Sequence, residues 1–457
     1  MKNPIRKITA AGMTAVAIQF ASAAVPEVTG VTMSQAGDRL VTITYTLSDA
    51  PAVVTLDVQT NVTGDVWASI GGEAVWNAMG DVWKRVETGS RTITWHPDHS
   101  WPDHKITGNN ARAVVTAWAL ENTPDYMVVD LTGVPDGDKV RYYPGADFLP
   151  KKGFDQVGAA VTNNIDYKTT KLLMRKIMAR GVEWTMGSAT DETQRNASRE
   201  ATHLVTLTNN YYIGVFQVTQ KQWELVATNS SVKANFRENG AMRPMESACY
   251  NEIRIKANSA TDATSDEISN YAWPKPPHPS SFLGLLRSRT GLDFDLPSEA
   301  QWEFAARAGN GSGFWGDGSM VMNANTDGNL GKLGRYRGNN PSGDSAASTL
   351  RPDQGGTAIV GSYSPNSWGL YDVYGNVAEF CVDLIEDDIT SYGGKVNVDP
   401  ASPGKTLSGK DVSNHVYRGG AWYYNAGDCR AAIRPGGSSS YRAYDRGIRV
   451  VCQAGLQ

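Results

Sequence analysis

The sequence predicts an α+β protein in which a small all-β sandwich precedes a larger domain with little regular secondary structure. Short runs that alternate β-branched and polar residues recur through the first 120 residues, which is typical of antiparallel strands. Farther along, two clear helix starts stand among many turns, and the chain of 457 residues contains 46 glycines and 13 tryptophans. A chain of this length is expected to form two or three domains.

The first 23 residues have the pattern of a cleaved export signal. A basic start that includes Lys2 and Lys7 precedes the apolar residues 8–20, and a small-x-small cleavage site follows at Ala21 to Ala23. The alternative is a buried N-terminal helix. The export interpretation predicts a secreted or periplasmic protein. Because no second apolar run of roughly 18 residues follows, a transmembrane segment is not expected.

Residues 25–120 are predicted to form an immunoglobulin- or fibronectin-like sandwich. The alternating runs that indicate its strands are residues 40–47, 53–58, 91–95 and 113–118. Their β-branched content and spacing favour two packed antiparallel sheets. Residues 121–169 are interpreted as a connecting segment, and a second domain is expected over residues 170–455.

Two capping boxes mark helices in the second domain. Thr219 with Gln222, and Ser298 with Gln301, have the spacing at which a hydroxyl and an amide satisfy the free main-chain groups of a first helical turn. Each pattern continues into a helix that is expected to bury a tryptophan, Trp223 in the first case.

The composition argues against nucleic acid as a partner and leaves open whether the cysteines form disulfides. The net charge is −4 and no Lys/Arg-rich run follows the N-terminus, so nucleic acid is not an expected partner. Four cysteines allow three disulfide pairings, between which the sequence does not choose.

Five segments in fixed order carry a family resemblance. They are residues 184–188, 199–219 (beginning Arg199-Glu200-Ala201-Thr202-His203), 296–307 (LPSEAQWEFAAR), 368–380 (WGLYDVYGNVAEF) and 417–422 (YRGGAW), followed by a closing RGIRV at 446–450. Together they resemble the sulfatase-modifying-factor, or formylglycine-generating enzyme, domain over roughly residues 170–453. The resemblance implies a C-type-lectin-like fold with little regular secondary structure and with bound calcium.

The resemblance also implies a specific chemistry, for which the motif is incomplete. Enzymes of this family oxidise a cysteine in sulfatases to formylglycine with molecular oxygen and copper(I), a soft ion that two cysteine thiolates bind well. The three motif positions, a Ser and two Cys in the family, are here Ala421, Tyr424 and Cys429. Cys429 is therefore the catalytic candidate, and the alternative is a buried thiol that only packs. Trp315 matches a tryptophan near the family's oxygen pocket, and core packing is its alternative.

Calcium is the other cofactor that the resemblance implies. Asp372, Gly375, Val377 and Glu379 match one family site, with side-chain oxygens expected from the first and last residues and carbonyl oxygens from the middle two. These are the hard oxygen ligands that calcium prefers. The alternative is a set of solvated turn residues.

A second calcium site is expected from fewer residues. Asn325 and Thr326 match its start, and Asp353 is the candidate for its carboxylate. Solvated turns are again the alternative.

Two functions therefore follow from the sequence. The first is an exported formylglycine-generating oxidase with an incomplete copper site, whose partner would be an exported sulfatase. The second is a non-catalytic extracytoplasmic module that uses the lectin-like scaffold to bind another protein, a peptide or a glycan.

Overall fold

A computed structural model describes residues 24–37, 39–106, 109–150, 161–256, 264–311, 313–314, 326–393, 396–400 and 414–455. The predicted export signal, residues 1–23, lies outside the described residues. Within them, no helix is long and apolar enough to cross a membrane.

The N-terminal part consists of two antiparallel sheets. Its elements are β1 (Glu27–Gln35), β2 (Val41–Ser48), β3 (Ala52–Thr63), β4 (Val66–Ser69), α1 (Gly72–Val75), β5 (Met79–Gly80), β6 (Arg85–Val86), β7 (Gly89–Trp95), α2 (Pro97–Ser100) and β8 (Ala111–Ala119). One sheet has the order β1-β2-β7-β5, and in the other β3 pairs with β8, β4 and β6. The inward residues of β2 alternate with outward threonines, as expected for a strand with one buried face.

The remaining strands and helices form the larger part. They are β9 (Tyr126–Asp130), β10 (Val140–Tyr143), β11 (Lys171–Ile177), β12 (Glu183–Met186), β13 (His203–Thr206), β14 (Tyr211–Gly214), α3 (Gln220–Val226), α4 (Ser265–Tyr271), α5 (Phe282–Thr290), α6 (Glu299–Arg307), α7 (Leu330–Leu333), β15 (Ala378–Leu384), β16 (Val396–Val398), β17 (Asn414–Arg418), β18 (Gly436–Ser438), β19 (Arg446–Gly447) and β20 (Val451–Gln453). The sheets have the orders β10-β9-β11-β14-β20, β12-β13-β16 and β18-β17-β15-β19.

The predicted α+β class is confirmed: a β-sandwich, which also contains the four-residue helices α1 and α2, precedes a mixed domain of short elements and long loops. The segment that the sequence assigned to a connection contributes β9 and β10 to the five-stranded sheet. β9 pairs with β11 from Asp130 to Tyr126. Pairing between these distant strands is a long-range contact that the local pattern does not show.

One hydrophobic core joins the two parts. The buried side chains of the sandwich, among them Trp83 and Trp95, pack in the same cluster as Val128, Phe216 and Val360 of the larger part. The main-chain amide of Tyr142 also donates to the carbonyl of Trp83, at 2.7 Å.

Both predicted capping boxes are confirmed. The hydroxyl of Thr219 accepts from the amide of Gln222, whose side chain accepts from the amide of Thr219, and Ser298 with Gln301 makes the same exchange at the start of α6. The two helices therefore begin at the predicted residues.

Buried arginines hold the loops of the larger part. Arg243, Arg254, Arg418, Arg430 and Arg449 are among the largest fully buried side chains. Arg430 shows the arrangement: it contacts Glu200 at 2.8 Å and donates to the carbonyls of Gly427 and Gln194. Burying such a charge is tolerated only when it is paired and hydrogen-bonded.

Removing one of these arginines should destabilise the fold. Arg254 bonds both carboxylate oxygens of Asp295, at 2.9 and 3.0 Å, and the carbonyl of Lys275. We expect Arg254→Met to lower the free energy of unfolding, measured in urea, by about 3–5 kcal/mol, because it leaves buried acceptors without donors. The matched control is Lys221→Met, which breaks the exposed pair with Glu224 and should cost less than about 1 kcal/mol. Equal losses in the two variants would contradict this prediction.

A buried histidine should make the protein sensitive to acid. His415 stacks on Tyr250 with ring centroids 3.4 Å apart, and burial lowers its pKa from 6.5 to about 3. Between these values the unfolded chain binds a proton at His415 and the folded chain does not. The free energy of unfolding should therefore fall as the pH is lowered from about 6.5 towards 3, by up to roughly 1.4 kcal/mol per pH unit.

The measurement is urea unfolding at several pH values for the wild type and for His415→Phe, which keeps an aromatic ring but cannot be protonated. We expect the variant to lose less stability in acid. Parallel curves for the two proteins would show that this histidine does not cause the effect.

Candidate functional site

The loop that precedes β15 follows an unusual backbone path. Asp372, Gly375 and Asn376 have positive φ angles of 55°, 106° and 65°. A Cβ atom at Gly375 would lie 2.3 Å from the carbonyl oxygen of Arg335, so only glycine fits this approach. The path brings several carbonyl oxygens of the loop to the buried side chain of Gln217.

These oxygens converge on the amide nitrogen of Gln217. Its Nε2 lies 3.1 Å from the carbonyl oxygen of Asp372, 3.4 Å from that of Gly375 and 2.9 Å from that of Val377. Oε1 of Glu379 is also 2.9 Å away. The four residues that the sequence predicted as calcium ligands thus lie around one point, and their oxygens are of the hard type that suits calcium.

Asp372 contacts Gln217 through its main chain, and its expected role as a carboxylate ligand stays a prediction. Its main-chain carbonyl, not its carboxylate, faces Gln217. The carboxylate oxygen Oδ2 accepts from the amide of Gly361 at 2.6 Å, and Oδ1 is buried without a hydrogen-bond partner. Burial raises the pKa of this carboxyl group to about 6, because the charged form is poorly solvated there.

The charge of Glu379 is already balanced. Arg449 donates from Nη2 to Oε1 at 2.7 Å and from Nε to Oε2 at 2.8 Å. The indole nitrogen of Trp302 donates to Oε2 at 2.6 Å. Glu379 thus connects β15 to α6 and to the chain just before β20.

The second expected calcium site is only partly described. Asn325 lies outside the described residues, and Thr326 is exposed at the start of a described segment. Asp353 is 75% exposed, with Oδ1 3.7 Å from Nε of Arg351. This site stays a prediction.

Cys429 is enclosed by the fold. It ends the 3₁₀ turn Ala426–Cys429 and is fully buried. A Cβ atom at Gly420 would lie 2.4 Å from its sulfur, so the thiol packs directly on the Gly-Gly turn. Burial raises the pKa of the thiol, and the charge of Asp428 raises it further. A protonated thiol is a weak nucleophile and a poor metal ligand.

The residues at the other two motif positions, Ala421 and Tyr424, are also packed and hydrogen-bonded within the protein. Ala421 is fully buried, and its carbonyl accepts from the amide of Tyr424 at 2.9 Å. The hydroxyl of Tyr424 donates to Oδ2 of Asp445 at 2.7 Å, and burial followed by the charge of Asp445 raises its pKa. With a phenol in place of one thiolate, these residues do not suit copper(I).

A pocket opens beside Tyr424. Its volume is about 300 Å³, and it is lined by Asn196, Arg199, Glu200, Tyr424, Asp428, Ile433, Arg434 and Pro435. Cys429 is not among these residues. Trp315, expected near an oxygen pocket, lies outside the described residues. Among those that are described, no group of three or more His, Cys, Asp or Glu side chains could hold a metal ion.

Sequence reasoning missed three residues of this region. Gln217 was noted only as part of a motif, although a polar residue inside the apolar run Val215 to Val218 is a signal of a buried polar role. Asp445 and Arg434 gave no local signal. Their roles arise from partners far along the chain, Tyr424 for the first and Glu299 for the second.

Comparison with known proteins places the larger part in a family. Residues 164–454 match the family model described as sulfatase-modifying factor enzyme 1-like domain. The formylglycine-generating enzyme of Streptomyces coelicolor is 32% identical over 166 residues, which are 35% of this chain and 47% of that protein. The match thus spans about half the length of that relative.

Two further proteins are similar over longer stretches. The chaperone protein LppX of Paenibacillus barcinonensis is 26% identical over 252 residues, covering 53% of this chain and 80% of that protein. Among solved structures, Treponema denticola variable protein 1 has a TM-score of 0.44 and 23% identity, and the alignment covers 62% of this chain and 96% of that one.

The burial of the cysteines gives a test of this site. Cys249, Cys381, Cys429 and Cys452 are all buried and unpaired, so we expect no labelling of the native protein by a maleimide within minutes and four labels after unfolding in urea. Mass spectrometry counts the labels. Tyr441→Cys, at a position 61% exposed, is the positive control and should label at once. Rapid native labelling that disappears in Cys429→Ser would contradict the enclosed thiol.

Proposed function

Because the chain belongs to the sulfatase-modifying factor enzyme 1-like domain family, we propose that it is an exported member that binds a peptide without oxidising it. One observation carries this proposal. Tyr424 lies where the catalytic motif requires a cysteine, and its hydroxyl is bound to Asp445 at 2.7 Å.

The state of Cys429 supports the loss of copper chemistry. A copper(I) site of the family type needs two thiolates, and all four cysteines of the chain are buried and unpaired. Burial holds the thiol of Cys429 in its protonated form by raising its pKa. The phenol of Tyr424 cannot replace the missing thiolate, because it is a hard ligand whose own pKa is also raised.

The pocket beside Tyr424 is the proposed binding site. Most of its buried charges are already used within the protein: Arg434 contacts both carboxylate oxygens of Glu299, at 2.5 and 2.6 Å, and Glu200 is paired with Arg430. At the surface lie the exposed carboxylate of Asp428 and the side chain of Arg199, which is 38% exposed and is paired with Asp387.

These surface groups favour a peptide as the ligand. Ile433, Pro435 and the ring of Tyr424 give the pocket apolar walls, and Asp428 places a negative charge at its edge. A peptide with an apolar residue next to a basic one matches both features, and sites that combine apolar walls with a few polar groups are usual for specific binding. An exported sulfatase or another exported protein would supply such a segment.

Calcium is part of the proposal as a structural ion. The carbonyls of Gly375 and Val377, with Asp372 and Glu379, would hold it, and it would supply positive charge to a buried group of oxygens. The support is the convergence of these oxygens within 3.4 Å of one atom. Export is supported by the basic, apolar and small-residue pattern of residues 1–23.

A copper-dependent oxidase is the second candidate. Two observations favour it: Cys429 is retained, and a relative with 32% identity is named a formylglycine-generating enzyme. The same peptide can separate the two functions, because one of them requires turnover and the other requires only binding.

The experiment uses the purified protein and a Cys-x-Pro-x-Arg peptide. With copper(I) and air we expect no loss of the peptide thiol by mass spectrometry. Without copper we expect binding by fluorescence anisotropy, weakened about ten-fold by Tyr424→Ala or Asp428→Ala. Tyr441→Ala, which does not line the pocket, is the matched control and should bind as the wild type does.

Three outcomes would count against the proposal. Turnover that disappears in Cys429→Ser would establish the oxidase. Equal weakening by Tyr441→Ala would place the binding site elsewhere. Binding on a glycan array without peptide binding would make the ligand a glycan.

A further inference from the structure

A second pocket lies at the start of α6, apart from the one beside Tyr424. Its volume is about 240 Å³, and the buried side chains of Leu207, Tyr211, Leu296 and Val382 form its floor. They come from β14, β15, the residue after β13 and the segment before α6. No described residue lines both pockets. The α6 pocket is therefore a candidate for a ligand of its own.

The walls of the α6 pocket leave little charge for a ligand. Among the described residues that line it, Asp399 is the one with a charged side chain. Its Oδ1 accepts from the main-chain amide of Thr208 at 2.8 Å, and its Oδ2 accepts from the hydroxyl of Thr208. An anionic ligand would find no cationic partner here, and an ammonium group would compete with Thr208 for the carboxylate. The pocket therefore favours an uncharged ligand.

Two amide side chains in the α6 pocket keep their donors for a ligand. The side-chain oxygen of Gln301 accepts from the amide of Ser298, and that of Asn210 accepts from the amide of Arg180, both at 3.0 Å. These bonds to the main chain set which end of each side chain is oxygen and which is nitrogen. Within the described part of the chain, neither NH₂ group has a hydrogen-bond partner. Each therefore has hydrogens to donate.

An acceptor and an aromatic ring complete the walls. The NH₂ group of Asn209 donates to the hydroxyl of Thr208 at 3.1 Å, which leaves its side-chain oxygen as an acceptor. The exposed amide of Gln453 also borders the pocket. Trp273 is half-buried and lines the pocket as well. Its indole ring offers a broad apolar surface together with one N–H donor.

The start of α6 is held in place without any ligand. Ser298 and Gln301 form the capping box of this helix. Between them, the amide of Glu299 donates to Oδ2 of Asp383 at 2.8 Å, and its carboxylate is paired with Arg434. The polar groups on this side of the pocket are thus fixed in direction before binding, which lowers the entropy lost when a ligand is bound.

A sugar ring matches this combination of groups. A pyranose carries neighbouring hydroxyl groups around its edge, each able to donate and to accept, and C–H groups on its two faces. Fixed amides can bond the hydroxyl groups, while Trp273 and the apolar floor cover the C–H groups. The volume is slightly below the range of about 300–1,000 Å³ that is usual for small-molecule sites, so the pocket suits a short sugar segment.

We propose that the α6 pocket binds a neutral sugar unit of a glycan. Asn209, Asn210 and Gln301 bond its hydroxyl groups, and Trp273 packs against its ring. This site adds a second ligand to the chain and does not depend on peptide binding beside Tyr424.

The experiment uses the purified protein and an array of neutral, sulfated and sialylated oligosaccharides. We expect binding to neutral oligosaccharides, and calorimetry with the best of them gives the affinity. Trp273→Leu and Asn209→Ala should each weaken binding about ten-fold, because they remove the ring surface and the acceptor. Asn209 is exposed, so its variant should keep the wild-type melting temperature, which separates lost binding from lost folding.

Trp67→Leu is the matched control for the loss of a tryptophan. Trp67 is also half-buried, but it lies on β4, where the guanidinium of Arg112 is 4.5 Å from the centre of its ring. We expect this variant to bind the oligosaccharide as the wild type does. Tyr424→Ala should likewise keep glycan binding, although it weakens peptide binding.

Three results would overturn the inference. One is an array on which no neutral oligosaccharide is bound, or on which the charged ones bind better. Another is unchanged affinity in both Trp273→Leu and Asn209→Ala. The third is glycan binding that disappears in Tyr424→Ala, which would place the sugar in the other pocket. Loss of peptide binding with glycan binding intact would contradict the proposed function alone.

Discussion

The larger part of this protein depends on arginines that are buried with their carboxylates. Long loops expose carbonyl groups that no helix or sheet satisfies, and a buried carbonyl without a donor is costly. Arg449 bonds Glu379 and also the carbonyls of Gly214, Val215 and Tyr371. Each such guanidinium has five donors in a fixed plane, so one side chain can fix several loop segments at once. Ion pairs of this kind explain how a domain with little regular secondary structure reaches one conformation.

The same constraint sets what the site can do. The loop from Asp372 to Glu379 is held by Arg449 at one end and by the Gly-Gly turn at 419–420 along its length. The Gly-Gly turn also packs on the sulfur of Cys429. The cysteine is therefore part of the packing that supports the pocket wall, while Tyr424 and Asp428 face the pocket itself.

The sequence predicted the elements whose signals are local. The capping boxes at Thr219 and Ser298 specify helix starts through neighbouring residues, and the alternating runs specify the sandwich strands; the structure confirms both. The family resemblance, based on five ordered motifs, is also confirmed. The role of Gln217 could not be predicted, because its partners lie more than 150 residues away.

The hydrophobic core shared by the sandwich and the larger part has a consequence for how such a chain can evolve. Val128, Phe216 and Val360 pack in the same cluster as Trp83 and Trp95. The sandwich is therefore not an independent domain that recombination could remove without disturbing the larger part. Its loss would uncover a broad apolar surface that water or another partner must then cover. A lineage that acquired this sandwich would be expected to retain it, and the two parts would be inherited as one unit.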